Sequence, residues 1–462
     1  MKNLTEHQAR DVRSLLHPFT PLRKHEEQGP LVIARGEGVY VFDEHGQRYI
    51  EGLSGLWCAG LGFSEPRLVE AAKRQLETLP YYHQFGGKSH LPGIELADRL
   101  VALAPAGITK AFFVNSGSEA NDTQIKLVRY YHEALGKPEK IKIIARQRAY
   151  HGVTLAAASL TGLPYVTQGF QLPIPGILHT MAPHHYREAL PGETEEAFAT
   201  GCAEELERLI LAEGPETVGA FIAEPLMGAG GVIVPPRGYF EKIQPVLRKY
   251  DVLMIADEVI TGFGRTGNYW GCETFNVEPD LISVAKQLSS AYLPIGAVLM
   301  SDRIYQVLAD RSAELGTFGH GYTYSGHPVC AAVALEALKI YDERDIVGQV
   351  RGRAPRFAEL VAGLGDNPLV GHTRAVGLIG AAELMADKDK REPFDPARAI
   401  GARVMAACQD EGLIIRAIGD TVAFCPPMII EEDQLGEMFA SARRALDRVA
   451  DELAGEARQG AA

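Results

Sequence analysis

Six cysteines are spread over 462 residues, at positions 58, 202, 272, 330, 408 and 425, and none stands at CxxC spacing from another. Neither a disulfide framework nor a zinc cluster is suggested, so a reduced compartment fits best and the cytoplasm is the expected location. No apolar run reaches the roughly 20 residues of a membrane-crossing helix, because Glu224, Lys286 and Asp302 interrupt the longest ones. The N-terminal MKNLTEHQARDVRSLL lacks the unbroken apolar block of an export signal. Positive charge is in deficit, with 46 Lys and Arg against 59 Asp and Glu for a net charge of −13. No basic cluster offers a face to a phosphate backbone, so neither nucleic acid nor membrane is an expected partner. His184 and His185, and the pair His83 and His90, have no carboxylate or thiolate at ligand spacing and read as surface or turn residues, so no metal is expected.

What is present is globular material. Hydrophobic residues make up 46% and charged residues 23%, which excludes disorder and low complexity. At roughly 100 to 200 residues per domain, the length predicts two or more domains, or one large α/β unit with a satellite. LVIARGEG, VYVFD and RYIEG read as a small antiparallel meander with a turn at DEHGQ. From about residue 66 helices and strands alternate. EPRLVEAAKRQLETL and EANDTQIKLVRYYHEAL are helix-periodic, the second with a stripe of Ala120, Gln124, Leu127, Val128 and Tyr131. AFFV, IKIIA, VGAFIAE, DVLMIAD, DLISVA and GAVLMS are short apolar runs without alternation, which suits a mainly parallel sheet covered on both faces. Residues 165–200, rich in Pro, His and Gly, read as irregular surface. Long helices return after residue 328, with GLIGAAEL and TVAFCPPMII between them, which predicts a smaller closing α/β domain.

Three motifs fail on context. GFGRTG at 262–267 matches a dinucleotide fingerprint, yet it trails DEVIT and runs into NYWGC rather than opening a helix. GGKSH at 86–90 resembles the end of a P-loop but has Tyr82 in place of the leading glycine and no apolar strand before it. VLMIADE resembles a magnesium-binding strand, which has no meaning without a P-loop.

Ligands of open α/β sheets bind beyond the carboxyl ends of the strands, so the residues that terminate the apolar runs carry the information. After AFFV come Asn115, Ser116, Gly117 and Ser118 at a helix start, a phosphate cradle or simply a serine cap. Asp257 ends VLMIA and Lys286 ends LISVA, a functional pair or a structural ion pair. A lysine in an apolar site has a lowered pKa, and its neutral amine can condense with an aldehyde. Pyridoxal phosphate (PLP) needs such a lysine, a carboxylate facing its ring nitrogen and a phosphate site.

The motifs VNSGSEAND, AYHGVT, EPLMGAGGVIVPP, ADEVITGFGRTG, SVAKQLSS, YLPIGAV and HGYTYSGHP lie within residues 57–330, and RGEGVYVFDEHG and RAIGD extend the series. In these the chain resembles the class III PLP-dependent aminotransferases, and within them the ω-transaminases that move amino groups between amines and pyruvate. The resemblance implies fold type I, the aspartate-aminotransferase-like fold, with a large domain at 66–327. The N-terminal arm and part of a small domain would occupy 1–65, and the rest of the small domain 328–462. It implies that Lys286 holds the cofactor as a Schiff base and shuttles protons, while Asp257 pairs with the pyridine nitrogen. Val259 and Tyr150 would pack on the two ring faces. Ser116, Gly117 and Ser118 would hold the phosphate, with His151 of AYHGVT also in the cofactor set. Thr323 would reach the phosphate of a neighbouring subunit, making a homodimer with shared active sites. Glu224 is either a further partner of the cofactor region or a carboxylate capping a turn.

For substrate, Arg416 in LIIRAIGD matches a mobile arginine that grips a carboxylate and swings away for an uncharged group; otherwise it is an ordinary surface arginine. Trp57, Phe85, Tyr150, Ala229 and Ile260 match the family's substrate pocket, an apolar and aromatic set that suits hydrophobic amines. The ornithine and γ-aminobutyrate branch reads DEVQ where this chain has Ile260, and carries a glutamate where it has Ala229. The resemblance therefore favours amines and ω-amino acids as donors and pyruvate as acceptor, in a ping-pong cycle. Gln287 and Gly86 depart from commoner residues, glycine and a larger aromatic, at their positions. Another PLP reaction on the same fold, a decarboxylation or an amino-group shift, is the nearer alternative. A non-catalytic dimer that binds a phosphorylated ligand is the more distant one.

Overall fold

A computed structural model describes residues 4–460. β1 (Ile33–Glu37), β2 (Tyr40–Asp43) and β3 (Arg48–Glu51) form the expected meander, register-paired as antiparallel neighbours. The strands of the central sheet follow in the sequence as β4 (Ile108–Val114), β5 (Lys142–Arg146), β6 (Ile177–Thr180), β7 (Val218–Ala223), β8 (Leu253–Asp257), β9 (Leu281–Val284) and β10 (Gly296–Ser301). Near the C-terminus lie β11 (Val370–Val376), β12 (Ile379–Leu384), β13 (Leu413–Ile414), β14 (Arg416–Ile418) and β15 (Thr421–Phe424). Strand β13 returns to pair in parallel with β3, so the first sheet is built from both ends of the chain. The third sheet has the order β11-β12-β15-β14.

The central sheet runs β4-β10-β9-β8-β7-β5-β6. Strands β5 to β9 are parallel, as the unbroken apolar runs implied, and β7, β8 and β9 are buried at every residue. Strand β10 is the exception: GAVLMS pairs antiparallel with both β9 and β4. A fully buried strand is apolar whichever way it points, so composition carries no direction. Because β10 is reversed against both neighbours, β4 points the same way as β9. The carboxyl ends of β4, β5, β7, β8 and β9 therefore share one edge.

Residues 165–200 are less irregular than expected. They contain the edge strand β6, paired in parallel with β5, and the start of the helix Glu195–Glu213, whose N-cap Thr194 accepts from the Ala197 amide. The strand escapes a reading for apolar runs because His179 and Thr180 make half of its four residues polar, with Ile177 and Thr180 buried and His179 half-buried. The helix Gly117–Ala134 buries the expected stripe of Ala120, Gln124, Leu127, Val128 and Tyr131 against the sheet. Among the described residues, no helix is long and apolar enough to cross a membrane.

Candidate active site

Each parallel strand delivers a polar residue to the shared edge. After β4 the chain turns through Asn115 into the helix Gly117–Ala134, with Ser116 as N-cap: its hydroxyl accepts from the Glu119 amide at 3.2 Å. The capping alternative is therefore real, and it leaves the phosphate role open, because first-turn amides such as those of Gly117 and Ser118 have no carbonyl behind them. Gly117 fits closely here, since a Cβ would stand 3.1 Å from the Val259 side chain, which would have to give by a few tenths of an ångström. Gly152, at φ 129°, likewise lies against Ser118, whose hydroxyl accepts from the Val153 amide at 3.1 Å.

Asp257 closes β8, and its carboxylate is heavily bound. Oδ2 accepts from Asn121 Nδ2 at 2.9 Å and lies 2.8 Å from His151 Nδ1, while Oδ1 accepts from the Val259 amide at 3.1 Å. Burial pushes this carboxyl up, yet the hydrogen bonds and charge of its neighbours, His151 first, outweigh it and hold the group below its ordinary value. Asn121 also donates to the His151 carbonyl at 2.7 Å, which locks the two together. Neither the Asn121 nor the His151 contact to Asp257 was foreseen. The one available signal was spacing: Asn121 lies a single turn beyond Gly117, on the same helix face.

Glu224, just after β7, is buried; Oε1 accepts from the Tyr150 amide at 3.1 Å and Oε2 from the Gly228 amide at 2.8 Å. It caps two turns that border the cavity, and burial raises its carboxyl pKa. Lys286 follows β9 in the left-handed region at φ 45°, and Ser290 and Ala291 repeat that conformation at 49° and 63°. Such strain persists only where surroundings enforce it. Here Tyr341 donates to the Gln287 carbonyl at 2.7 Å, the Ser290 hydroxyl accepts from the Leu61 amide at 2.8 Å, and Gln287 packs against Gly60, where a Cβ would clash. Burial lowers the Lys286 pKa, opposed by Cys58, Asp257, Glu224 and Cys425. Among the described residues, Nζ has no hydrogen-bonding partner.

These groups meet in a cavity of about 400 Å³ whose wall includes Ser116, Gly117, Ser118, Tyr150, His151, Glu224, Asp257, Val259, Ile260 and Lys286. Arg416, opening β14, stands beside Tyr165 and Tyr150; burial raises both phenols, and the guanidinium opposes the rise. Ala229 is buried in one cluster with Tyr150 and Leu163. Trp57 lies one layer back, packed with Ile260 and Leu226 rather than on the wall. Phe85 and Thr323 are not brought to this cavity. Both are exposed, on loops that touch each other: Tyr81 donates to the Thr323 carbonyl at 2.8 Å, and the Phe85 ring lies over Gly321. His184 is not the surface residue expected. It is buried 3.3 Å from Glu383, a partner too distant in sequence to anticipate. His90 is also buried, as a helix N-cap.

The arrangement fits a flat, phosphorylated aldehyde. It offers free amides at a helix start, two glycines where side chains would intrude, a fixed carboxylate and an unpaired amine. It also leaves buried polar atoms, Asn121 Oδ1 and His151 Nε2, without protein partners.

Comparison with known proteins agrees. A family model for class III aminotransferases matches residues 22–446. A γ-aminobutyrate transaminase 3 of Solanum lycopersicum, named chloroplastic, is 52% identical over 444 residues, 95% of this chain and 85% of that protein. A mitochondrial γ-aminobutyrate transaminase 1 of Oryza sativa subsp. japonica is 52% identical over 439 residues, 95% of this chain and 85% of its own. The crystal structure of the ω-transaminase from Pseudomonas jessenii in complex with PMP is 53% identical, with a TM-score of 0.95, covering 97% of this chain and 99% of that one. The architecture is the PLP-dependent fold type I. The chain belongs to the class III aminotransferases, which depend on PLP. The names of these relatives do not distinguish an amine:pyruvate activity from γ-aminobutyrate transamination.

Proposed function

We propose that the chain transfers an amino group from a primary amine or ω-amino acid to pyruvate, giving alanine and an aldehyde or ketone, in a ping-pong cycle within one cavity. The observation that carries this reading is an unbonded Lys286 amine in one cavity with Asp257 and the helix start at residues 116–118, while Arg416 stands beside Tyr150 on the wall. Bound PLP supplies an aldehyde that condenses with amines and a ring that takes up the electron pair released when a C–H bond breaks. Lys286 Nζ, whose pKa burial lowers, would be the nucleophile for that aldehyde and, once displaced by the incoming amine, the base that takes the proton from the substrate carbon. Asp257, fixed by His151 and Asn121, provides a carboxylate that keeps a proton on the ring nitrogen. Ser116, Gly117 and Ser118 bind the phosphate, Val259 and Tyr150 confine the ring, and Glu224 holds the Tyr150 and Gly228 turns in place. Arg416 pairs with the keto acid's carboxylate and yields Tyr165 and Tyr150 to an uncharged amine. Trp57 and Ala229 back the substrate wall from behind Ile260 and Tyr150.

The same proposal includes a homodimer. Phe85 and Thr323 stand together on an exposed surface with Tyr81 and Tyr324, and this aromatic patch suits a second copy whose cavity they complete. The division at residues 66 and 328 also belongs to it, since β4 to β10 lie between those points and both small sheets outside them. So does a cytoplasmic location, which rests on six free cysteines.

The test is the visible absorbance of the purified holoenzyme. The cofactor band should bleach on adding 1-phenylethylamine or γ-aminobutyrate and return with pyruvate as alanine appears. Return with 2-oxoglutarate but not pyruvate would replace the acceptor, and a band that no amine bleaches would refute transamination.

A further inference from the structure

The N-terminal arm holds a cluster that the cavity does not use. Two short helices, Glu6–Ser14 and Leu22–Gln28, are joined by a turn. The first is anchored to the strand hairpin beside it: the Thr5 hydroxyl donates to Glu44 at 2.7 Å, and Gln8 Nε2 donates to the Pro30 carbonyl at 2.9 Å. Asp11 lies on the first helix, His17 on the turn and His25 on the second helix. His17 Nε2 and His25 Nε2 converge on a single oxygen, Asp11 Oδ1, at 2.9 and 3.0 Å. The two imidazole rings lie 4.1 Å apart and tilted by 34°, so both Nε2 atoms aim at one region. All three ligand atoms fall within 4.8 Å of one another, and the side chains are 24%, 19% and 8% exposed for His17, Asp11 and His25.

We propose that Asp11, His17 and His25 form a binding site for a divalent first-row transition ion, with Zn²⁺ as the fitting case. At zinc bond lengths of roughly 2.0 to 2.2 Å, tetrahedral donors sit about 3.3 Å apart, so the two distances from Asp11 Oδ1 to the imidazoles need to open by only a few tenths of an ångström. Two imidazole nitrogens and one carboxylate oxygen suit zinc and its neighbours rather than magnesium or calcium, which take all-oxygen shells. Three protein ligands leave a fourth position for water. The site closes a loop from His17 to His25 that carries Phe19, an exposed ring held at φ 51°. That ring meets Tyr165 edge-on at 6.2 Å, and Tyr165 stands beside Arg416. The ion would thus brace an aromatic side chain at the mouth of the cavity, a structural role separate from the transfer chemistry.

The experiment uses untagged holoenzyme, stripped with a chelator, loaded with Zn²⁺, dialysed and assayed for metal beside His25→Gln and Asp11→Asn. Wild type should retain about one zinc per chain and both variants should lose it. Added zinc should raise the Tm of wild type alone. No retained zinc, or equal retention in the variants, overturns the site. Should the substitutions prevent folding, X-ray absorption at the zinc edge of the wild-type protein decides: imidazole ligands support the site, and an all-oxygen shell overturns it.

Discussion

Glu383 is buried on β12 among two guanidiniums and an imidazole, whereas Lys286 is half-buried at the cavity with no hydrogen-bonding partner among the described residues. Arg374 donates to Glu383 Oε2 at 2.5 Å, Arg187 bonds the other oxygen, and His184 approaches at 3.3 Å. Burial opposes ionisation of Glu383, but these neighbours, with His184 first, hold its carboxyl far below the ordinary range. Arg374 also donates to the Gly231 and Val232 carbonyls, so this seam ties the third sheet to the loop beyond Glu224. Charge is closed within the protein there, and the result is rigidity. At the cavity charge is left open, and the result is a place that a cofactor and substrates complete.

Substitutions on each side should break this contrast differently. Lys286→Ala should cost on the order of 10⁴-fold in turnover, measured in steady state, with the protein still folded. Glu383→Gln should leave turnover chemistry intact but cost about 3 to 5 kcal/mol in denaturant unfolding, because Arg374 and Arg187 lose their partner inside the protein. Glu51 is a third case, buried with no cation beside it and bonded to the Leu53 and Gly55 amides. Burial pushes its carboxyl from 4.5 up to about 8. A raised carboxyl favours the folded state while protonated, and that advantage is lost as the pH rises from about 4.5 to about 8. Relative to wild type, Glu51→Gln should therefore gain Tm at pH 8.5 over pH 5, and an unchanged difference would show that the carboxyl is ionised throughout. Asp257→Asn should cost about 10²- to 10³-fold in turnover, with PLP still bound through Lys286.

Much of this was legible because polar residues ended apolar runs: Ser116, Asp257 and Lys286 each follow a strand. The side chains that hold Asp257 were not, because Asn121 and His151 are 136 and 106 residues away and meet it only in the fold. Strand β10 could not be oriented from its composition, and β6 was hidden by its mixed polarity. Phe85 and Thr323 carried a family pattern but stand outside the cavity of their own chain, so the role proposed for them needs a second subunit. His184 looked like a turn residue because its partner, Glu383, arrives from the last third of the sequence.

The claim that the open charges await substrate is tested most directly by stopped-flow measurement of the two half-reactions in Arg416→Ala. The reaction of 1-phenylethylamine with the holoenzyme should change little, while the return with pyruvate should slow by roughly 10- to 100-fold, the loss of a charge-assisted pair. Equal slowing of both halves, or of neither, would contradict the account.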